Sequence, residues 1–293
     1  MSTHEQKTFI EGGVLLAKEF DKVKTKKSVD QYWASEKFDG YRAIWDGERF
    51  VSRNNKEFTG VPEWFKQCMP KGELLDGELW TKRDDFENCG ILRKKKAVEG
   101  EWADLDVKYK IFDAPLIDAP FEGRMKHITN IVKLQKQVIK AFKTPVPHNP
   151  LSITKQIKIK DQEHLNLMFK EITSQKGEGL MLREAGSLYE QKRSSTLLKM
   201  KPVHDCECRI IGYKAGTGKY QGMLGSFRCC LIDADGEDSD IEFNLSGMDD
   251  SIRRSYRKSH SLGTVITIQY NDTTKRGIPR FPRYLRIRSD YGL

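Results

Sequence analysis

The stretch Glu36-Lys37-Phe38-Asp39-Gly40-Tyr41-Arg42 decides how the rest of the chain is read. It sets one lysine just before an Asp-Gly turn, with an arginine five residues later and a hairpin pattern beyond it. A lysine in such a place is either a solubilising charge or a nucleophile. Nucleophilic use requires a pKa brought down from about 10.4, by burial or by a neighbouring cation or metal. The heptapeptide alone leaves both readings open, because Lys-x-Asp-Gly also occurs in ordinary turns.

Composition narrows the class. The 293 residues can bury a core, as one large domain or two smaller ones. With 38% hydrophobic and 32% charged residues, the chain reads as soluble and globular rather than disordered. No apolar run approaches the ~20 residues of a membrane span, and the polar N-terminus has no secretory pattern, so an intracellular setting without a membrane is expected. The 51 Lys and Arg against 42 Asp and Glu, a net +9, suit a polyanionic partner, although many basic proteins never touch nucleic acid. Six cysteines occur without a Cys-x-x-Cys pair, which indicates neither a zinc ribbon nor a disulfide framework. His204, Cys206 and Cys208 have the look of ligands, but strand alternation puts both cysteines on one face, as core.

Residues 41–53 read as strand, Asp46-Gly47 turn and strand. Strands are expected at 74–80 and 108–114, with Asp84 capping a short helix that ends near Gly90. A helix at 124–142 carries Ile128, Ile131, Val132, Gln135, Val138, Ile139 and Phe142 at helical spacing. Asp161 caps a second helix, whose inner face is Leu165, Met168, Phe169 and Ile172. Strands follow at 179–184 and 196–201. Beyond Pro202 the texture changes to five short strands and one basic helix, which fits a small Greek-key barrel of the oligonucleotide-binding (OB) kind. The domains are therefore drawn as 1–203 and 204–293, with 202–205 as a hinge. The basic run 93–96 is either a solvated loop or a phosphate contact.

Four further clusters bear on Lys37. Asp76-Gly77-Glu78 puts two carboxylates on one strand face, and Glu178 stands at another strand entrance. Paired acids suit Mg²⁺, which prefers oxygen ligands and bridges substrate phosphates; taken singly, each acid also suits a strand-end salt bridge. Lys199 and Lys201 share a strand face, either on an exposed edge or facing an anion such as phosphate. Phe112 is either core or a base-stacking ring.

Together these stretches resemble, in order, the motifs of the covalent nucleotidyltransferases: DNA ligases, RNA ligases and mRNA capping enzymes. Residues 36–42 are similar to the adenylated-lysine motif, Ser52-Arg53-Asn54 to the arginine motif and Asp76-Gly77-Glu78 to the ribose and metal motif. Residues 109–113 resemble the aromatic stacking motif, and 178–181 and 197–201 the last two motifs of the catalytic domain. The stretch 279–290 and the Gly-rich link 216–225 resemble the barrel of ATP-dependent DNA ligases. The plan is similar to that of minimal bacterial and viral forms, though without the export signal of some and the long clamp insertion of others.

The resemblance implies an α+β fold: an ATP-grasp-like nucleotidyltransferase domain of antiparallel sheets and helices, then an all-β OB domain. It implies an enzyme using ATP and Mg²⁺, with Mn²⁺ as the alternative ion, that works on nicked duplex DNA as a monomer. Lys37 would be the nucleophile, assisted by Lys199 and Lys201. Glu36, Arg42, Arg53, Phe112 and Arg193 would bind the nucleotide, with Arg42 and Arg53 also candidates for the 5′-phosphate of the nick. Glu78 and Glu178 would hold metal, Glu78 alternatively the ribose. Arg283, Arg286, Arg288 and Asp290 would orient pyrophosphate, unless the arginines simply meet the DNA backbone. The alternatives are an RNA ligase or capping guanylyltransferase, and a non-catalytic basic DNA-binding protein.

Overall fold

A computed structural model of the chain describes residues 11–23, 27–96, 99–233 and 235–288. The chain divides between Met200 and Lys201 into two compact units.

The first unit holds two five-stranded sheets. Its elements in chain order are β1 (Leu16–Glu19), β2 (Tyr32–Glu36), β3 (Tyr41–Trp45), β4 (Phe50–Ser52), α1 (Glu63–Gln67), β5 (Leu75–Trp80) and α2 (Glu99–Asp104). Then come β6 (Lys108–Asp113), α3 (Phe121–Lys140), β7 (Leu151–Ile153), β8 (Ile157–Lys158), α4 (Gln162–Ser174), β9 (Leu180–Glu184) and β10 (Arg193–Met200). One sheet runs β1-β10-β9-β2-β8, the other β4-β3-β5-β6-β7. The β3–β4 hairpin turns at Asp46-Gly47, where Asp46 Oδ1 accepts from the backbone N–H groups of Glu48 (3.1 Å) and Arg49 (2.8 Å). Asp161 caps α4 by accepting from the His164 N–H at 2.8 Å.

Three expectations are corrected here. The sheets are mixed rather than antiparallel: β1 pairs with β10, and β6 with β7, in parallel. In the second pair the 20-residue α3 supplies the crossover that parallel strands need. Asp84 is not a helix cap. It sits in a turn at φ 55°, and the short helix is a 3-10 segment, Asn88–Arg93, that runs past Gly90. On α3 the inner stripe is Phe121, Arg124, Ile128, Val132 and Ile139, while Val138 is 50% exposed.

Polar groups are buried where the two sheets meet. Asp113 on β6 and Arg124 on α3 are both wholly inaccessible and joined by paired hydrogen bonds of 2.6 and 3.2 Å. Arg183 on β9 reaches the same carboxylate at 2.9 Å from the other sheet. Arg124 also donates to the carbonyls of Ala119 (2.8 Å) and Ser187 (2.9 Å).

The second unit contains β11 (His204–Ala215), β12 (Leu224–Ile232), β13 (Asp238–Leu245), α5 (Asp250–Ser259), β14 (Val265–Tyr270), β15 (Asp272–Thr273), β16 (Pro279–Arg280) and β17 (Arg283–Ile287). Its main sheet, β13-β12-β11-β14-β17, is antiparallel throughout. Where a barrel was expected, the ladder stays open among the described residues, with a parallel bridge from Ser246 to Arg283 linking its two edges. Cys208, Ile210, Phe227, Cys229, Leu245, Ile266 and Ile268 fill the core. All six cysteines are free thiols, and no group of three His, Cys, Asp or Glu side chains suited to a metal occurs among the described residues. Among those residues, too, no helix is long and apolar enough to cross a membrane.

Removing one partner of a fully buried pair strands the other charge. Arg124→Met should therefore lower the unfolding free energy by about 3–5 kcal/mol. Urea denaturation checks this, and a loss below ~1 kcal/mol would show that the pair contributes little to the stability of the fold.

Candidate active site

Lys37 lies where the chain leaves the first sheet and enters the second, between β2 and β3. Its backbone N–H donates to the Gly179 carbonyl at 2.9 Å, extending the β2–β9 ladder by one residue. Its ammonium donates to Glu178 Oε2 at 2.6 Å, and the two side chains are only 21% and 17% exposed. The turn that follows needs glycine. A Cβ on Gly40 would stand 2.2 Å from the Leu79 carbonyl oxygen and 3.1 Å from Glu78 Cγ, so a larger residue would push the Lys37 loop off β5.

The second sheet supplies the floor. Arg42, Glu78 and Lys110 are register partners across β3, β5 and β6, with Phe112 two residues further along β6. Gly77 permits this spacing, since a Cβ there would lie 2.5 Å from the Tyr109 ring. Glu78 is half-buried, and burial pushes its carboxyl up to about 8, although Lys37 and Arg42 pull it down. Glu178 and Asp76 add to the upward push.

Several expected ligand-binding side chains are already engaged. Arg42 grips Asp76 through both carboxylate oxygens, at 2.9 and 2.5 Å, and donates to the Leu15 carbonyl at 2.8 Å. Burial works against its charge, but the Asp76 carboxylate outweighs it and keeps the guanidinium above its ordinary pKa. Arg42 also lies 5.6 Å over the Phe112 ring, and Tyr189 donates to Asp76 at 2.8 Å. Glu36 is held by two hydrogen bonds from Arg83, at 2.7 and 2.9 Å, and Arg83 in turn donates to Gln175 just beyond α4. Lys199 pairs with Glu19 at 2.8 Å, and Arg193 donates to the Ala17 carbonyl, both along the β1–β10 edge.

The structure thus brings Lys37, Glu178, Glu78, Arg42 and Phe112 into one neighbourhood, with Glu36 near enough to act on Lys110 beside them. Arg53 lies apart, exposed in the turn after β4. Lys201, Arg283, Arg286 and Arg288 belong to the second unit. Lys201 follows the end of β10 instead of sharing its face, with its ammonium 5.7 Å over the Phe281 ring. Arg288 pairs with Glu207 at 2.6 Å, Arg286 is exposed, and Arg283 Nε is buried without a hydrogen-bond partner. Asp290 lies outside the described residues. Sequence reasoning missed Arg83 and Tyr189, whose partners lie far off in the chain. It also missed Lys110, which strand alternation from Phe112 would have put on the same face.

The donor set around Lys37 fits a hard divalent cation. Glu78 and Glu178 offer carboxylate oxygen only, and Glu178 is near enough to add to burial in pushing the Glu78 carboxyl up. Mg²⁺ accepts one or two protein carboxylates when phosphates and waters complete its shell, so a third protein ligand is not required.

Two mixed sheets that enclose a lysine–carboxylate pair, followed by an OB-type sheet, define a covalent nucleotidyltransferase of the ligase plan. Family models agree: residues 14–201 match the ATP dependent DNA ligase domain and 215–288 the DNA ligase OB-like domain. The chain belongs to the ATP-dependent DNA ligase family. It is 30% identical over 259 residues to a DNA ligase of Haemophilus influenzae, covering 88% of this chain and 87% of that one. A solved structure from a structure-function study of Lig E DNA ligases, on DNA binding with a minimal scaffold, superposes with a TM-score of 0.80. It is 32% identical, covering 94% of this chain and 99% of that one. The bacteriophage T7 ATP-dependent DNA ligase, solved in complex with ATP, shares the fold at TM-score 0.53 and 19% identity, covering 96% of this chain and all of that one.

The raised Glu78 carboxyl gives a signed pH prediction. Its folded pKa, about 8, lies above the ordinary 4.5, so the folded state keeps a proton that the unfolded chain releases. The stability this contributes is present below pH 4.5 and lost as the pH rises through about 8. Melting of the ATP- and metal-free protein across that window should fall more steeply for wild type than for Glu78→Gln; parallel curves would refute the assignment.

Proposed function

We propose that this ATP-dependent DNA ligase seals nicks in duplex DNA by way of AMP carried on Lys37. The observation that supports this most is the fixed geometry at Lys37. Its backbone is pinned to Gly179 and its amine aimed at Glu178, beside the strand face that carries Glu78, Arg42 and Phe112.

In the first transfer the Lys37 amine, having lost its proton, attacks the α-phosphorus of ATP. A P–N bond forms, the bond to the bridging oxygen breaks, and pyrophosphate leaves. The 5′-phosphate of the nick then takes the AMP from Lys37. Finally the 3′-hydroxyl attacks that activated phosphate, loses its proton, and expels AMP as the strand closes. Each step is an in-line phosphoryl transfer, whose main demands are alignment and dispersal of charge.

Glu178 orients the Lys37 amine while it waits for ATP. Phe112 offers a ring face to adenine, a contact in which Arg42 already takes part from one side. Arg42 acts on the nucleotide side mainly through what it holds, Asp76 and the strand carrying Glu78. Glu36, braced by Arg83, shapes the base end of the pocket. Lys199, now paired with Glu19, and Arg193 supply cations along the β1–β10 edge. Arg53 and the second unit's Lys201, Arg283, Arg286 and Arg288 are assigned to phosphates of ATP or of the nicked strand. Mg²⁺, or Mn²⁺ in its place, would be held by Glu78 and Glu178 and would spread the charge on the phosphoryl group. Glu178 holds the Lys37 amine at 2.6 Å and would have to release it for attack; a divalent ion held by Glu78 and Glu178 would supply the charge to favour that release.

Protein mixed with α-labelled ATP and Mg²⁺ should acquire a label that survives denaturation. Lys37→Ala should lose that label entirely and lose sealing of a nicked duplex from ATP. It should still seal a nick already bearing 5′-AMP, since that step no longer needs the lysine adduct. A Lys37→Ala protein that still takes up label would rule out Lys37 as the nucleophile.

A further inference from the structure

Lys110 is a half-buried cation beside the Lys37 loop that the proposed chemistry leaves unused. Its ammonium lies 4.8 Å from the Trp80 ring centroid and 5.4 Å from that of Phe38, and the two rings are 5.2 Å apart at 54°. It also donates to Ser152 Oγ at 3.2 Å, from the register-paired residue of β7. Phe38 is the residue directly after Lys37. Either side of Phe38 the loop is tied by backbone: the Lys37 N–H to Gly179, the Asp39 carbonyl to the Cys89 thiol, and Gly40 against Leu79. Phe38 is thus a side chain that anchors the loop between those ties.

A half-buried ammonium loses hydration, and an apolar side chain would fill the same space without that cost. Here the ammonium meets the faces of Phe38 and Trp80 and the Ser152 hydroxyl, and the two rings supply an attraction that only a cation can use. We propose that Lys110 is a positioning residue for adenylation: its cation locks Phe38 against Trp80 and so fixes the direction of the neighbouring Lys37 amine. The inference rests on the proposed role of Lys37. The other charged groups that act on Lys110 are Glu36, Lys108 and Asp106, and its pKa is lowered chiefly by burial. None of them replaces the aromatic contact.

The test is single-turnover self-adenylation of the full chain with labelled ATP, for wild type, Lys110→Met, Lys110→Arg, Phe38→Leu and the Phe38→Leu/Lys110→Met double variant. Misalignment of a nucleophile costs about ten- to a hundredfold in rate. Lys110→Met should slow the first-order adduct rate by about that factor, with the half-saturating ATP concentration and the melting temperature unchanged. Lys110→Arg, which keeps a cation over the rings, should restore most of the rate. The double variant should be no slower than Lys110→Met alone, because both changes break one unit. Lys110→Met at the wild-type rate, an Arg variant as slow as Met, additive losses, or a loss matched by a fall in melting temperature would each overturn the proposal. Wild type forming no adduct would instead sink the Lys37 reading, and this inference with it.

Discussion

The catalytic unit depends on buried carboxylates shared between its two sheets. Asp113 holds Arg124 from α3 and Arg183 from β9, while Asp76, two strands from the sheet edge, holds Arg42 and Tyr189. Isolated buried charges are expensive; paired and hydrogen-bonded ones are tolerated because those contacts replace the lost hydration. The arrangement is specific where an apolar interface would not be. A guanidinium meets a carboxylate in one plane and at one distance, so the sheets cannot slide without breaking it.

That rigidity matters because Lys37 is on the crossing strand-to-strand segment. Its position is set by one sheet through Gly179 and by the other through the Gly40 approach to Leu79. A shift between the sheets would move the amine relative to Glu78, and phosphoryl transfer is sensitive to such displacements. The same economy is seen in Arg42. It belongs to the nucleophile motif by sequence, but its guanidinium is spent on Asp76 and the Leu15 carbonyl. Its contribution to the site is to hold the floor, with Phe112 against its outer face.

The second unit is organised differently. Its core is apolar, with Cys208 and Cys229 packed as small hydrophobes among Ile210, Phe227 and Ile266. The Cys229 thiol beside it, and then burial, push the Cys208 thiol up from its ordinary pKa, so it stays neutral. The exposed Phe281 and Arg286 lie on its surface, where a polyanion can reach them.

Much of this was legible without coordinates. The Asp46-Gly47 hairpin, the Asp161 cap, the strand through Asp76-Gly77-Glu78 and the alternation of the second unit follow from local rules of turn chemistry and period. The motif order identified the chemistry, because six short patterns in register are far more specific than any one. What sequence could not reach were pairings at long range. Whether a strand runs parallel, as β1 does beside β10, is decided by where the chain returns, not by its side-chain pattern. The same holds for the partners of Arg42, Glu36 and Lys110. A charged residue near a motif reads as a ligand for substrate until folding brings Asp76, Arg83 or the Phe38–Trp80 rings against it. Residue type and spacing determined which groups the site contains; only the packing of one sheet on the other decided which of them remain available to ATP.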